Sequence, residues 1–264
     1  MKSIPPTTLL FVQLFAFNSK VKGGTMATPV ALNNVTHKHL RVIPSHSTQT
    51  NESTMIARVQ PFEFRSLQHE YPIVFYKDEQ QGFHAVVLLG LEQNENLYLS
   101  DTGWDAKTVP LMIERQPFLI GQRPAGENAE RQTVLLVDPG SPKLSEIEGE
   151  PLFLDHGGHS EYLQRMTDIL CAIQEKEEET QYFINTLERH ELLESFFLDV
   201  SLANGEKHRL TGYYTINEDK LRELADDVVV DLHKAGILQL IHFVIASQAN
   251  FADLIDRKQA RERE

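Results

Sequence analysis

Two histidines and an aspartate lie close together in the sequence at Asp155, His156 and His159, and these are side chains that divalent metal ions bind. The intervening Gly157 and Gly158 would let the backbone fold back and bring the three together. Such a site would support a metal-dependent enzyme. We favour the alternative, a glycine turn leading into a helix with solvated polar side chains, because metal ligands need rigid elements and this stretch is predicted to be a loop.

Other sequence signatures of catalysis and nucleotide binding are missing. The His-Gly-Gly stretch is similar to the oxyanion loop of α/β-hydrolases, but no G-x-S-x-G nucleophile elbow accompanies it, since 158–162 lacks the second glycine. Neither a Walker A sequence nor G-x-G-x-x-G occurs, so no phosphate-binding loop is predicted. The remaining histidines are scattered without ligand spacing. We therefore predict no cofactor, and we favour a non-enzymatic protein over an enzyme.

The elements that would position these residues change character along the chain. In residues 26–140, short apolar runs alternate with turn residues, which is typical of strands. The clearest runs are Ile73–Tyr76 and His84–Leu89, and the polar loop between them predicts a hairpin. Helical spans between the strands are short, so antiparallel pairing is favoured over a doubly wound sheet.

Residues 141–264 carry mainly helical patterns. Apolar residues at spacings of three and four predict an amphipathic helix from His159 to about Arg189, interrupted in the acidic run 175–179. A hairpin turning at Asn204–Gly205 is predicted to follow. Three further helices are then expected: one capped by Asn217 and ended by Gly236, one over Ile237–Ile245, and one opening at Asn250 with Asp253 in its first turn.

The sequence thus predicts an α+β fold, with an antiparallel β-rich N-terminal half and a mainly helical C-terminal half. We expect a single domain over 26–264, β-rich in 26–140 and helical in 141–264. Residues 1–25 are interpreted as an N-terminal extension, disordered or upstream of an effective start at Met26. Its apolar run is followed by a poor cleavage site, so we predict a cytoplasmic protein, with export to the cell surface as the alternative.

Charge and composition exclude some classes of partner and some structural features. The 264 residues include 25 Lys and Arg against 38 Asp and Glu, a formal net charge of −13. Because such a chain repels phosphate backbones, we predict no nucleic-acid partner. The single cysteine, Cys171, excludes an intramolecular disulfide. No run approaches the roughly 18 consecutive apolar residues that cross a bilayer, so no membrane span is predicted.

Several short blocks of the sequence follow one another in a characteristic order. They are Pro29–Val42, Tyr71–Phe75 with Lys77–Asp78, Leu88–Leu91, Glu95–Leu97, Trp104–Pro110, Pro117–Phe118, Leu198–Val200, Leu210–Ile216 and Gly236–Leu238. Through the order and spacing of these blocks together, the chain resembles the SapC family of bacterial proteins. The similarity extends from Met26 to about Ile255, nearly the whole chain.

The resemblance implies little chemistry. The family takes its name from a component connected with bacterial surface layers, and no catalytic activity is implied for its members. Many members resemble cytoplasmic proteins, and the family is associated by context with outer-membrane receptors. The resemblance therefore favours an accessory or binding protein, associated with a surface layer or an outer-membrane receptor.

We predict that the partner is a protein or peptide. The candidate binding residues are aromatic anchors with charged neighbours, the composition favoured where binding energy concentrates. They are Tyr71, Lys77, Trp104, Asp105 and Tyr214. For each of the three aromatic residues, a place in the core is the alternative. A metal-dependent enzyme centred on Asp155, His156 and His159 is the alternative function, and the oligomeric state stays open.

Overall fold

The computed structural model describes residues 28–48, 53–78, 82–123, 132–201, 205 and 207–263. The predicted extension 1–25 and Asn204 of the predicted turn lie outside these residues. Within them the chain divides into two compact units, each built from two separate segments. The first unit comprises the residues up to Ser45 with Arg115–Cys171, and the second comprises His46–Glu114 with the residues from Ala172 onward. The single domain expected over 26–264 stays a prediction.

Thirteen strands and eight α-helices are found in the described residues. The strands are β1 (Val30–Ala31), β2 (Arg41–Val42), β3 (Ile56–Arg58), β4 (Ile73–Asp78), β5 (Gly82–Leu88), β6 (Leu99–Ser100), β7 (Gly103–Trp104), β8 (Phe118–Arg123), β9 (Gln132–Val137), β10 (Leu144–Ser145), β11 (Glu150–Pro151), β12 (Leu193–Ser201) and β13 (Lys207–Ile216). The helices are α1 (Phe64–Leu67), α2 (Leu111–Glu114), α3 (Glu161–Glu175), α4 (Glu177–Arg189), α5 (Glu218–Arg222), α6 (Asp226–Lys234), α7 (Ile237–Ser247) and α8 (Asn250–Arg261). A short 3-10 helix, Pro61–Glu63, precedes α1.

The first unit contains two small antiparallel sheets, in the orders β1-β9-β8 and β10-β2-β11. The longest pairing joins β8 and β9 over six residues on each strand. Apolar residues from β2, β8 and β9, from the segment after β11 and from α3 form its core, in agreement with the 3.6-residue spacing of apolar positions in α3. The buried core residues are Val42, Phe118, Val137, Leu152, Phe153, Leu163, Met166 and Leu170.

The second unit is built on a five-stranded antiparallel sheet in the order β12-β13-β4-β5-β3. Two neighbouring strands of this sheet carry continuous apolar runs, Ile73–Phe75 in β4 and Ala85–Leu88 in β5, and Ile73, Val74 and Phe75 are fully buried. Strands covered on both faces lose the alternation of apolar and polar residues, which explains these continuous apolar runs. A two-stranded hairpin of β6 and β7 lies outside this sheet and carries Trp104.

The predicted α+β class is confirmed. The sheets are antiparallel and lie mainly in the N-terminal half, while the C-terminal half is mainly helical, with 36% helix and 27% strand. The predicted hairpin of β4 and β5 is present, with Tyr76 opposite His84. The predicted long amphipathic helix is also present, and it is interrupted at Lys176 between α3 and α4, inside the acidic run.

One predicted helix is divided in two. The helix capped by Asn217 ends at Arg222, because the extended backbone of Ala225 separates α5 from α6. Asp226 and Asp227 then open α6, where carboxylates stabilise the positive end of the helix dipole. Asn250 is the first residue of α8, as predicted, and is buried. Its amide Nδ2 donates to the carbonyl oxygens of Gln68 (2.7 Å) and Tyr71 (3.0 Å).

Among the described residues, one helical stretch is long and apolar enough to cross a bilayer by length and composition alone. It runs over Ile237–Arg261, covering α7 and α8, with a mean hydropathy of 1.2 in its most apolar window. A core helix of a globular protein passes the same test. Within this stretch Ile241, Val244 and Leu254 are fully buried in the second unit. The absence of a membrane span stays a prediction.

Candidate functional site

Trp104 is placed by a tight hairpin. Leu99 pairs with Trp104 and Ser100 with Gly103, which leaves a two-residue turn between the strands. Gly103 has a φ of +143°, a conformation that residues with a side chain rarely adopt. The hydroxyl of Ser100 accepts hydrogen bonds from the backbone N–H groups of Thr102 (3.3 Å) and Gly103 (3.2 Å). Local turn chemistry therefore fixes the position from which the Trp104 ring projects.

The indole of Trp104 is anchored through a buried tyrosine. Its Nε1 donates to the Tyr71 hydroxyl at 2.8 Å, and that hydroxyl donates to the carbonyl oxygen of Thr108 at 2.5 Å. Tyr71 is fully buried, whereas Trp104 is half-buried. The Tyr98 ring lies 4.6 Å from that of Tyr71 and nearly parallel to that of Trp104, at 16° and 6.4 Å between centroids. We call Tyr71, Tyr98 and Trp104 the Trp104 cluster.

The two tyrosine hydroxyls act as hydrogen-bond donors. A phenol is protonated at neutral pH, and desolvation raises the pKa of Tyr71 and Tyr98 further above the usual value. The Tyr98 hydroxyl donates to the carbonyl oxygen of Glu70 at 2.8 Å. These groups hold the cluster in place.

An ion pair covers the cluster. Arg257 donates from Nη1 to Oδ2 of Asp105 (2.6 Å) and from Nη2 to the Asp105 carbonyl oxygen (3.0 Å). Its guanidinium lies 4.4 Å from the centroid of the Tyr98 ring, within the range of a cation–π contact. The Asp105 side chain is 73% exposed, so the pair contributes little to stability. The ion pair instead fixes the orientation of the Arg257 guanidinium beside Trp104.

Two open pockets meet at this ion pair. The arginine pocket, of about 390 Å³, has Ser100, Thr102, Trp104 and Arg261 among its lining residues. The acidic pocket, of about 450 Å³, has His69, Glu70, Asp253 and Asp256 among its lining residues. Four residues line both pockets: Tyr98, Asp105, Arg257 and Ala260. The two pockets therefore form one continuous surface with Trp104 at one side.

The five predicted binding residues divide into two groups. Tyr71, Trp104 and Asp105 meet in and beside the Trp104 cluster, as described above. Lys77 and Tyr214 lie on the five-stranded sheet, where both contact Phe83: the Lys77 Nζ is 4.9 Å from the ring centroid, and the Tyr214 ring meets it edge-on at 4.8 Å. Among the described residues, no hydrogen bond, ion pair or ring contact joins the two groups.

The predicted metal ligands lie on an exposed turn. The Leu154 N–H donates to the Gly158 carbonyl oxygen and the Gly157 N–H to that of Leu154, both at 2.8 Å, and Asp155, His156 and His159 are exposed. The His159 ring meets Phe153 edge-on at 6.0 Å. Within the described ranges, no group of three His, Cys, Asp or Glu side chains is placed to hold a metal ion. The structure therefore does not gather these three side chains around a common point.

Sequence reasoning does not identify Tyr98, Arg257 or Arg261 as part of this surface. It predicts only a strand for Tyr98, and it places the two arginines in the charged end of the last helix. Arg257 and Arg261 are four residues apart, a spacing that places them on one face of α8. That spacing is the one local signal that could have identified them.

A comparison with known protein families matches the SapC family over residues 32–254. The match covers most of the 264 residues, and it includes β2 to β13, α1 to α7 and the first part of α8. Comparisons with curated proteins and with solved structures gave no match. The chain belongs to the SapC family.

Proposed function

We propose that this SapC-family chain is a non-enzymatic accessory protein that binds a protein or peptide through the surface around Trp104. The observation that supports the proposal is the half-exposed Trp104 ring, held from below by the buried Tyr71 and bordered by the pockets that meet at Arg257. Trp, Tyr and Arg are the residues that most often dominate the energy of protein interfaces.

The surface is ordered before a partner arrives. Trp104 is fixed by its hydrogen bond to Tyr71 and by an edge contact with the His46 ring at 5.9 Å. Arg257 is fixed by two hydrogen bonds to Asp105. Immobilising a flexible side chain on binding costs about 0.5–1.5 kcal/mol, and groups already held in place avoid much of that cost.

The chemistry of the surface favours binding over catalysis. Tyr71 and Tyr98 keep their protons at neutral pH and donate them to backbone carbonyl oxygens. Asp105 is engaged by Arg257, and both carboxylate oxygens of Glu70 accept backbone N–H groups, from Lys107 (2.7 Å) and Thr108 (3.0 Å). These groups are occupied in holding the surface, which supports the proposal of a contact surface.

The family suggests where the partner is found. A surface-layer component or an outer-membrane receptor is the partner class that the family association favours. We propose a cytoplasmic location, with the cell surface as the alternative, and no binding to nucleic acid or insertion into a membrane. The net charge of −13 supports the exclusion of nucleic acid.

Co-purification from the native host tests the proposal. Wild-type protein is compared with Trp104→Ala and with Asp105→Arg, which reverses an exposed charge without removing a ring. A partner identified by mass spectrometry should be retained by the wild type and lost with both variants. Cytoplasmic and envelope fractions are analysed separately, which also tests the location.

Tyr182→Ala provides the matched control. Tyr182 is an aromatic residue of α4 that is 55% exposed and lines neither pocket. This variant should retain the partner as the wild type does, and circular dichroism should show that all the variants are folded. A partner that folded Trp104→Ala and Asp105→Arg retain in full would contradict the proposed surface.

A further inference from the structure

The two pockets beside Trp104 carry opposite charge. In the arginine pocket, Arg257 and Arg261 face a single carboxylate, that of Asp105. In the acidic pocket, four carboxylates line the wall together with Arg257: those of Glu70, Asp105, Asp253 and Asp256. A ligand that spans both pockets therefore meets an excess of positive charge at one end and of negative charge at the other.

Arg261 is held by carbonyl groups. Its Nη1 donates to the carbonyl oxygen of Asn96 (2.8 Å) and its Nη2 to that of Leu99. Among the described residues, no carboxylate pairs with it, so its positive charge is uncompensated. A guanidinium has five N–H donors, and those left unused by the two carbonyl bonds are suited to a carboxylate.

The hydroxyl groups beside Arg261 add to the same preference. Ser100 and Thr102 line the arginine pocket, and their hydroxyl oxygens are 3.0 Å apart. The Ser100 hydroxyl donates to the Gly103 carbonyl oxygen at 2.9 Å, so the Thr102 hydroxyl is the one that can rotate to donate to a carboxylate. The protein as a whole carries a net charge of −13, which disfavours anions elsewhere on its surface, so this local excess of cationic donors gives selectivity for where an acidic group binds.

The acidic pocket complements this arrangement. Asp253 and Asp256 are three residues apart on α8 and exposed, and within the described part of the chain neither carboxylate has a hydrogen-bond or ion-pair partner. Like charges at this spacing repel each other, and a cation placed between them relieves that repulsion. Arg257 and Ala260 line both the acidic pocket and the arginine pocket, so the two pockets are adjacent.

We propose that the partner presents a dipolar peptide segment, with a carboxylate in the arginine pocket and a basic side chain in the acidic pocket. This rests on the proposed function, because it specifies which segment that surface binds. Four residues line both pockets, so the two charged groups belong to residues close together in the segment.

The fluorescence of Trp104 provides a direct assay, since it is the only tryptophan of the chain and lines the arginine pocket. The probes are six-residue peptides without tryptophan, acetylated and amidated, that differ only at two central positions: Glu-Lys, Lys-Glu, Glu-Glu, Lys-Lys and Gln-Gln. Two further peptides test which kind of carboxylate binds. One contains Glu-Lys and has a free C-terminus, and the other contains Gln-Lys and ends in a free carboxylate after Lys. The second peptide has a terminal carboxylate and no Glu side chain at the variable position.

One or both dipolar peptides should change the emission of Trp104 saturably and bind about tenfold tighter than Glu-Glu or Lys-Lys, as expected when one additional charge-assisted hydrogen bond forms. Tighter binding of only the Gln-Lys peptide with a free terminus would assign the carboxylate to a chain end. Equal or tighter binding of Glu-Glu or Lys-Lys would overturn the inference. So would unchanged emission with every peptide.

Charge variants test the assignment of each pocket. Arg261→Gln should weaken binding of the dipolar peptide about tenfold, while Arg189→Gln, an exposed arginine at the end of α4, should leave it unchanged. Asp256→Lys should shift preference from the dipolar peptide to Glu-Glu, and Asp231→Asn, an exposed aspartate of α6, should not. Urea unfolding confirms that each variant is folded. Unchanged peptide preference in folded Asp256→Lys would contradict the inference.

The outcome is separable from that of the proposed function. If co-purification of the partner depends on Trp104 but dipolar peptides are not preferred, the proposed binding surface stands and its dipolar specificity is overturned. If both Trp104→Ala and Asp105→Arg retain the partner, the proposed function itself is contradicted.

Discussion

The Trp104 cluster and the turn at Asp155–His159 are held by different kinds of contact. Trp104 is fixed through the side chains of Tyr71 and Tyr98, which are buried and make hydrogen bonds over long stretches of sequence. The turn is fixed by backbone hydrogen bonds within Leu154–Gly158 and by Asn34, whose Nδ2 donates to the Gly157 carbonyl oxygen at 2.9 Å, and the polar side chains of the turn are exposed to solvent. The cluster belongs to the second unit of the chain and the turn to the first.

This difference shows why spacing in the sequence is a poor guide to a site. Asp155, His156 and His159 are close in sequence, but an exposed turn gives their side chains no surroundings that hold them together. Tyr71, Trp104 and Arg257 are far apart in sequence, and packed elements bring them within contact distance of the same cluster. A functional surface needs such rigid support for its side chains.

Removal of Tyr71 should have the largest effect on stability. Tyr71→Ala empties a fully buried ring position and leaves the Trp104 Nε1 without its acceptor. Truncation of a large buried aromatic residue to Ala typically lowers the free energy of unfolding by about 3–5 kcal/mol. Urea denaturation monitored by circular dichroism measures the loss.

Leu154→Ala is the control from the other region. Leu154 is an apolar residue of the turn that is 54% exposed. Its truncation should change the free energy of unfolding by no more than about 0.5 kcal/mol. Equal losses for Tyr71→Ala and Leu154→Ala would remove the contrast between a supported cluster and an exposed turn.

Much of the fold could be predicted because its signals are local. The hairpin of β4 and β5 lies between turn residues, and the spacing of apolar residues in α3 and α4 identifies an amphipathic helix. The position of β13 beside β4 could not be predicted, because Tyr214 pairs with Phe75 across 139 residues of sequence, 214 minus 75. Such pairing depends on tertiary packing that single-sequence patterns do not contain.

The site could be predicted only in part for the same reason. Residue type alone points to Tyr71, Trp104 and Asp105, but it points equally to Lys77 and Tyr214, which lie in a separate group on the sheet. Arg257 could not be found in this way, because its partner, Asp105, is 152 residues away in the sequence. The two arginines of α8 acquire their role only when that helix packs beside the β6–β7 hairpin.

The pH dependence of stability should arise partly in the region that supports Trp104. Glu63 is buried, and its carboxylate oxygens accept the backbone N–H groups of Leu111 (3.0 Å) and Gln60 (2.9 Å), which fixes the end of the segment that follows Trp104. Burial raises the pKa of Glu63 from 4.5 to about 7. Between these pH values the folded protein keeps a proton that the unfolded chain has lost.

The contribution of Glu63 to the free energy of unfolding therefore falls as pH rises from 4.5 to 7, by on the order of 3 kcal/mol, and stays constant above that range. Glu63→Gln removes this dependence and adds a constant penalty, because its amide nitrogen cannot accept a hydrogen bond. The measurement is the difference in free energy of unfolding between wild type and variant at several pH values. A difference that does not change between pH 4.5 and 7 would contradict the prediction.

The smallest effect is expected for the turn. The double variant His156→Ala/His159→Ala removes two exposed imidazoles, so the free energy of unfolding should change by no more than about 0.5 kcal/mol. Elemental analysis of protein purified without a histidine tag should find less than about a tenth of a metal ion per chain in both proteins, because rigidly placed ligands are required for tight binding. His242→Ala, an exposed histidine of α7, serves as the control. Stoichiometric metal in the wild type that only the double variant loses would instead support the metal-dependent enzyme and reverse the contrast between the two regions.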